Sequence, residues 1–241
     1  MTMGSFRMHP EKRRALTEPG LLFSRPLRRA HRLFRGFPAG EYRNILDLGA
    51  HEGSFTDLVL PYFKPDRIWL VEADPDYSAV LQARYAANPA VTVIPCAISN
   101  ASGHVELRIN SHRDSSSILP IESVSEKTFG LKMTEMATVK VPACTLDELF
   151  ERERITRIDL MKVDIQGAER LMIEGGVQAL ACVELLYIEL SYERFYAGAP
   201  LAHEMEDLLA QHGFRLRSLH ESRLGSNGAL AYTNALFLRA G

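Results

Sequence analysis

The run from Asn44 to Phe55, Asn-Ile-Leu-Asp-Leu-Gly-Ala-His-Glu-Gly-Ser-Phe, constrains this chain more than any other. Ile45, Leu46 and Leu48 make an apolar stretch too short for a helix and suited to a buried strand. Gly49 and Gly53 bracket a turn, and a helical pattern begins at Ser54. A strand that enters a helix through a glycine turn brings main-chain N–H groups up to a bound nucleotide or nucleoside. Gly49 can also take backbone angles closed to other residues and leaves room for a ligand against the main chain.

The spacing narrows the ligand. Asp47-x-Gly49-x-x-x-Gly53 is not the Gly-x-Gly-x-x-Gly of a dinucleotide site, and no Gly-Lys-Ser/Thr of a P-loop follows. A carboxylate at the strand end repels a pyrophosphate but suits a ligand with positive charge. S-adenosylmethionine, with an ammonium, a sulfonium and no phosphate, is such a ligand. A plain βα turn with a helix-capping Asp is the simpler alternative.

Beyond this turn, strand and helix patterns alternate. Strands are expected over Arg67–Val71, Val91–Cys96, Ile158–Val163 and Val183–Leu190, with helices over Pro75–Ala87, Ala168–Leu180 and Leu201–His212. His104–Ile109 and Ala137–Val141 read as extended segments around a polar loop, Asn110 to Gly130. Thr145 and Glu148 have capping-box spacing at the start of another helix. Phe214–Leu219 and Tyr232–Leu238 close the chain as a strand pair. The expected fold is α/β: a mostly parallel, doubly wound sheet with a C-terminal antiparallel strand pair. Its ligands belong at the carboxyl ends of the strands, near the reversal of strand order.

Chemistry-bearing residues fall at those ends. Glu72 ends the second strand about twenty residues after the glycine turn, where a carboxylate accepts hydrogen bonds from ribose hydroxyls. Its other reading is a helix-capping acid before Pro75, a part Asp74 also fits. Ala73 follows it, and Cys96, Ala97 and Ile98 suit a base slot at the end of the third strand. In Met161-Lys-Val-Asp-Ile-Gln-Gly-Ala-Glu, Lys162 and Asp164 point to one side of the strand, near enough to pair or share a ligand. Asp164 then stands where a cofactor's reactive end lies, while Glu169 complements a helix dipole. Asp164, His112 and Glu189 are the candidate proton acceptors, in that order.

Composition sets the remaining bounds. With 241 residues, 46% hydrophobic, the chain can build its core without staples, and three cysteines scattered in sequence argue against a disulfide framework or zinc site. No apolar run approaches the roughly 20 residues of a membrane span. The basic start lacks the apolar core of a signal peptide, so a reducing cytoplasm is expected. Residues 1–43 hold ten Lys/Arg against three Glu; residues 44–241 hold 18 against 27 Asp/Glu. Leu21, Leu22, Leu27, Leu33 and Phe34 recur among those arginines, favouring an amphipathic helical cap on the body over a polyanion-binding arm.

Asp47-Leu-Gly-Ala-His-Glu-Gly, Glu72, Thr145-Leu-Asp-Glu-Leu and Lys162-Val-Asp-Ile-Gln-Gly-Ala-Glu, in this order, resemble the FkbM-type methyltransferase family. The resemblance spans about Asn44 to Leu238, with the basic arm outside it. It implies the Rossmann-like class I methyltransferase fold and S-adenosylmethionine-dependent O-methylation of a sugar, polyketide or other small natural product. It also implies cofactor contacts from Asp47, Gly49, Ala50, His51, Gly53, Glu72, Ala73, Cys96, Ala97 and Asp164. His51 stands where the family has Asn, and Gln166 where it has Glu; the second change removes an acid beside Asp164, and no metal is expected. A non-catalytic binding module and a nucleic-acid methyltransferase are the alternatives. Asp164-Ile-Gln-Gly, in place of Asn/Asp-Pro-Pro-aromatic, weakens the latter.

Overall fold

The computed structural model describes residues 25–130 and 132–240. Its centre is a seven-stranded sheet built from β1 (Asn44–Leu48), β2 (Arg67–Val71), β3 (Val91–Ile94), β7 (Leu160–Val163), β8 (Leu185–Ser191), β9 (Phe214–Leu224) and β10 (Leu230–Arg239). The order is β3-β2-β1-β7-β8-β10-β9. The first five strands of that order pair in parallel, and β10 is antiparallel to both β8 and β9. The doubly wound sheet and closing antiparallel pair expected from sequence are both present. Strand order reverses between β1 and β7, so the site belongs at their carboxyl ends.

Alternation along the strands explains why the sheet is covered on both faces. Leu46, Leu48, Trp69, Val71, Met161, Val163, Leu186 and Ile188 pack into one apolar cluster. Ile45, Ile68, Leu70, Leu160, Leu185 and Tyr187 pack into a second. Two buried faces per strand are what near-continuous apolar runs of a parallel sheet require. Asp47 and Lys162 face each other in the β1–β7 register, as the only charged pair in that ladder.

The first described helix, α1 (Arg25–Phe34), lies against α2 (Ser54–Phe63). Phe34 is fully buried, with its ring 4.6 Å from Phe63, 5.2 Å from both Tyr62 and Phe37, and 5.9 Å from Phe55. Leu21 and Leu22 of the expected cap lie outside the described residues. Among the described residues no helix is long and apolar enough to cross a membrane.

A second, three-stranded sheet departs from the sequence reading. β4 (Ala97–Ile98), β5 (Gly103–Asn110) and β6 (Glu135–Cys144) form it in the order β4-β6-β5. The polar segment between β5 and β6 is not a plain loop: it holds a 3₁₀ turn at Arg113–Ser115 and a helix, α4 (Val124–Phe129). Arg113 clamps it to α3 (Pro75–Tyr85), with bonds of 2.6 and 2.7 Å to Asp74 and 2.9 Å to Asp76. Asp74, not Glu72, is the helix-capping acid, accepting from the Asp76 N–H at 3.0 Å.

Thr145 caps α5 (Leu146–Glu153) as expected, accepting from the Glu148 N–H at 3.1 Å, but the Glu148 carboxylate accepts from Ser102 instead of closing a capping box. The helix expected over 168–180 is two, α6 (Glu169–Glu174) and α7 (Val177–Leu180), broken at Gly175-Gly176. Asp147 accepts from the Gln178 and Ala179 N–H groups and so starts the second piece. α8 (Ala202–Gln211) precedes β9. β9 and β10 run longer than the expected Phe214–Leu219 and Tyr232–Leu238, leaving only a hairpin turn at 225–229 between them.

Candidate active site

Gly49 follows β1 at φ +74°, and a Cβ there would lie 1.8 Å from the Asp164 carbonyl oxygen. Only glycine lets the ends of β1 and β7 approach this closely. Gly53, at φ +81°, faces Tyr85 of α3, whose hydroxyl would be 2.8 Å from a Cβ. The second glycine therefore serves helix packing. His51 sits at φ +49°, in the left-handed region that Asn and His tolerate better than most residues. Its ring lies 3.9 Å from that of Tyr77, and its N–H donates to Glu72 at 2.6 Å.

Lys162 holds this turn from beneath. Its ammonium donates to the Gly49 carbonyl at 2.8 Å and lies 3.3 Å from Asp47 and 3.7 Å from Asp164. Asp47 is fully buried and also accepts from Thr56 at 3.0 Å. Burial pushes the Asp47 carboxyl up, against the pull of Lys162 and Thr56. Burial works against the Lys162 charge too, but Asp47 and Asp164 together keep its pKa above the ordinary value. Asp47 has no surface to offer a ligand. The carboxylate opposes Lys162 inside the sheet and braces the turn through it.

A cleft of about 440 Å³, mouth included, opens at the strand ends. Gly49, Ala73, Cys96, Ala97 and Asp164, five of the expected contact residues, line it together. Ile98, Leu107 and the segment Ser116–Ile118 also line it. Glu72 is 8% exposed, and its two oxygens accept from the His51 and Asp74 N–H groups, the latter at 2.7 Å. Burial raises its carboxyl, in opposition to those two bonds. Ala50 is buried and donates its N–H to Val71.

Gln166 joins this cleft to a second recess, lined also by Gly167, Glu169, Glu189, Phe195 and Tyr196. Its amide nitrogen donates to Asp164 at 2.6 Å, and its amide oxygen accepts from the Tyr196 hydroxyl at 2.6 Å. Tyr196 also reaches the Ser115 carbonyl at 2.9 Å. Burial and the charge of Asp164 push the Tyr196 hydroxyl up, so it stays a neutral donor. A Glu at 166 would set a second carboxylate against Asp164; the amide replaces repulsion with a hydrogen bond. Among the described residues no group of three or more His, Cys, Asp or Glu is arranged to hold a metal ion.

Two acids give the recess its electrostatics. Glu169 accepts from the Ile165 and Gly167 N–H groups at 3.3 Å, yet burial lifts its pKa to about 7. Glu189 is raised well above its ordinary value by burial, then by Asp164 and Glu169. His112, the second candidate base, is exposed and lines neither recess; its carbonyl caps the 3₁₀ turn. Sequence reasoning missed the Gln166–Tyr196 bridge, which joins residues thirty apart. It also read Cys96 and Cys144 as unclustered, whereas their sulfurs lie 3.4 Å apart.

The raised Glu169 carboxyl predicts a pH-dependent stability. The folded chain keeps this proton up to about pH 7, whereas the unfolded chain releases it near 4.5. The contribution therefore favours folding below the lower value and fades as pH rises to the upper one, a change on the order of 3 kcal/mol. Glu169→Gln, which keeps the acceptor oxygen, should match the parent in urea denaturation at pH 4.5 and exceed it at pH 8. Equal stabilities at pH 8 would place Glu169 in a wetter environment.

The strand-order reversal and the cleft at the strand ends are those of the class I methyltransferase fold. The solved methyltransferase FkbM from Methylobacillus flagellatus KT shares this fold with a TM-score of 0.54 at 16% identity, over 87% of this chain and 47% of its own. The chain thus spans about half the length of that protein. TrmK from M. capricolum, solved with S-adenosyl-homocysteine, gives a TM-score of 0.50 at 8% identity, covering 90% and 69% of the two chains. Residues 47–216 match the model of the methyltransferase FkbM domain, and the chain belongs to the FkbM methyltransferase family. The 2-O-methyltransferase NoeI of Sinorhizobium fredii (strain NBRC 101917 / NGR234) is 25% identical over 170 residues, 68% of this chain and 70% of NoeI.

Proposed function

We propose that the cleft takes S-adenosylmethionine and that the chain methylates a hydroxyl of a sugar, polyketide or other small natural product. The observation that carries this reading is the placement of Asp164, in the cleft wall and hydrogen-bonded to the one residue, Gln166, that also lines the acid recess. The donor set suits the cofactor. Cys96, Ala97, Ile98 and Leu107 make an apolar slot for a base ring. Glu72, fixed by two backbone N–H groups, keeps lone pairs for ribose hydroxyls. Asp164 offers negative charge to the methionyl end. NoeI, a 2-O-methyltransferase by name, supports oxygen as the acceptor atom.

When bound, S-adenosylmethionine supplies an already activated methyl group. The protein then has to align a hydroxyl behind that methyl and keep water out. Orientation of this kind contributes on the order of 7–11 kcal/mol. Phe195 and Tyr196 supply buried aromatic walls of the acceptor recess, alongside Gln166. Asp164, in the cleft wall, takes the hydroxyl proton or orients the hydroxyl, and Glu189, in the recess, is the second candidate acceptor. Neither role calls on a metal.

Transfer of labelled methyl from S-adenosylmethionine to a panel of hydroxylated sugars and polyketides, with and without EDTA, tests this reading. Alkali-stable ether products, formed equally in EDTA, are expected. Loss of transfer in EDTA with recovery in magnesium would make Asp164 a metal ligand. Cofactor binding without transfer to any acceptor would favour the non-catalytic module.

A further inference from the structure

Cys96 and Cys144 come from different parts of the chain, the link between β3 and β4 and the end of β6. Folding brings their sulfurs to 3.4 Å, in hydrogen-bond contact, with both residues buried. Cys96 also lines the cleft beside Ala97 and Ile98, so a small molecule entering the cleft meets a thiol that has a partner behind it. A disulfide needs the sulfurs to close to roughly 2.05 Å, a movement of side chains more than of backbone at this separation. The hydrogen bond from Cys96 favours the Cys144 thiolate, with burial opposing and Arg152 assisting. Cys182, the third cysteine, is half-buried, and its thiol donates to the Gln178 carbonyl.

We propose that Cys96 and Cys144 form an oxidisable dithiol in the wall of the cofactor cleft, a modification site whose oxidant is a small peroxide. The thiolate of the pair takes one oxygen from hydrogen peroxide and hydroxide leaves. The second thiol displaces that oxygen as water, so two thiols and one peroxide give one disulfide and two waters. Closing the bond draws the Cys96 sulfur toward Cys144 and reshapes the base slot. In a reducing cytoplasm the pair rests as thiols, and the disulfide forms transiently under oxidative load. The effect on ligand affinity rests on the proposed cofactor; the bond itself does not.

The experiment treats the full chain with hydrogen peroxide, then maps peptides without reductant and titrates S-adenosylhomocysteine by calorimetry. A Cys96–Cys144 peptide lighter by two hydrogen atoms is expected, with ligand affinity at least tenfold weaker and restored by a phosphine reductant. Cys144→Ser and Cys144→Ala, each checked for an unchanged thermal midpoint, should keep the reduced protein's affinity and lose the peroxide effect. Cys182→Ser should retain it. Oxidation confined to Cys182, or a Cys96–Cys144 bond that leaves affinity unchanged, overturns the inference. Failure of the reduced protein to bind the ligand would instead strike the cofactor reading, while the peptide map still judges the dithiol.

Discussion

Replacing Asp164 by Asn should lower methyl-transfer turnover by about 10²–10⁴-fold, the range that separates an enzyme from its variant without a proton acceptor. Asn keeps the size of the side chain and an oxygen to accept from Gln166, so the wall of the cleft stays in place. What it loses is the negative charge near Lys162 and the capacity to take a proton. Affinity for S-adenosylmethionine should change by much less than turnover, because the base slot and Glu72 are untouched. Glu189→Gln is the companion variant and should cost less than tenfold. Near-normal turnover in the Asn variant with collapse in the Gln variant would transfer the base role to Glu189, whose carboxyl burial raises well above its ordinary value.

The second large effect is expected at Gly49. Gly49→Ala brings two independent penalties: a left-handed backbone at φ +74°, and a methyl 1.8 Å from the Asp164 carbonyl oxygen. The first costs about 1–2 kcal/mol. The second cannot be relieved by a rotamer, since the obstacle is main chain, so β1 and β7 must separate at their ends. A total above about 4 kcal/mol is expected, with loss of ligand binding. Gly130→Ala is the control, because Gly130 has φ +67° with nothing within 4 Å of its Cβ position. It should show the first penalty alone. Denaturation midpoints of the two variants measure the difference, and equal losses would deny the close approach of the two strand ends.

The legible parts of the fold were those written in local pattern. Short apolar runs bounded by Gly, Pro and capping residues gave β1, β2 and α8 nearly to the residue, and the acidic positions at the strand ends marked the cleft. Pattern could not show which extended segments leave the main sheet, because β5 and β6 alternate as an edge pair of either sheet would. Nor could spacing show that Asp47 meets Lys162 across the β1–β7 ladder. Chain-distant polar bridges are invisible for the same reason: Gln166 announces itself as a missing acid, and only the fold supplies Tyr196 as its partner. The chemistry of His112 could be read from sequence, but not its exposed position away from both recesses.

Calorimetric titration of the purified full chain with S-adenosylhomocysteine, S-adenosylmethionine and NAD tests the central claim most directly. The account predicts saturable binding of the first two in the micromolar range or tighter, about −8 kcal/mol, and no binding of NAD. Tight binding of NAD, with no heat from either sulfur ligand, would contradict it.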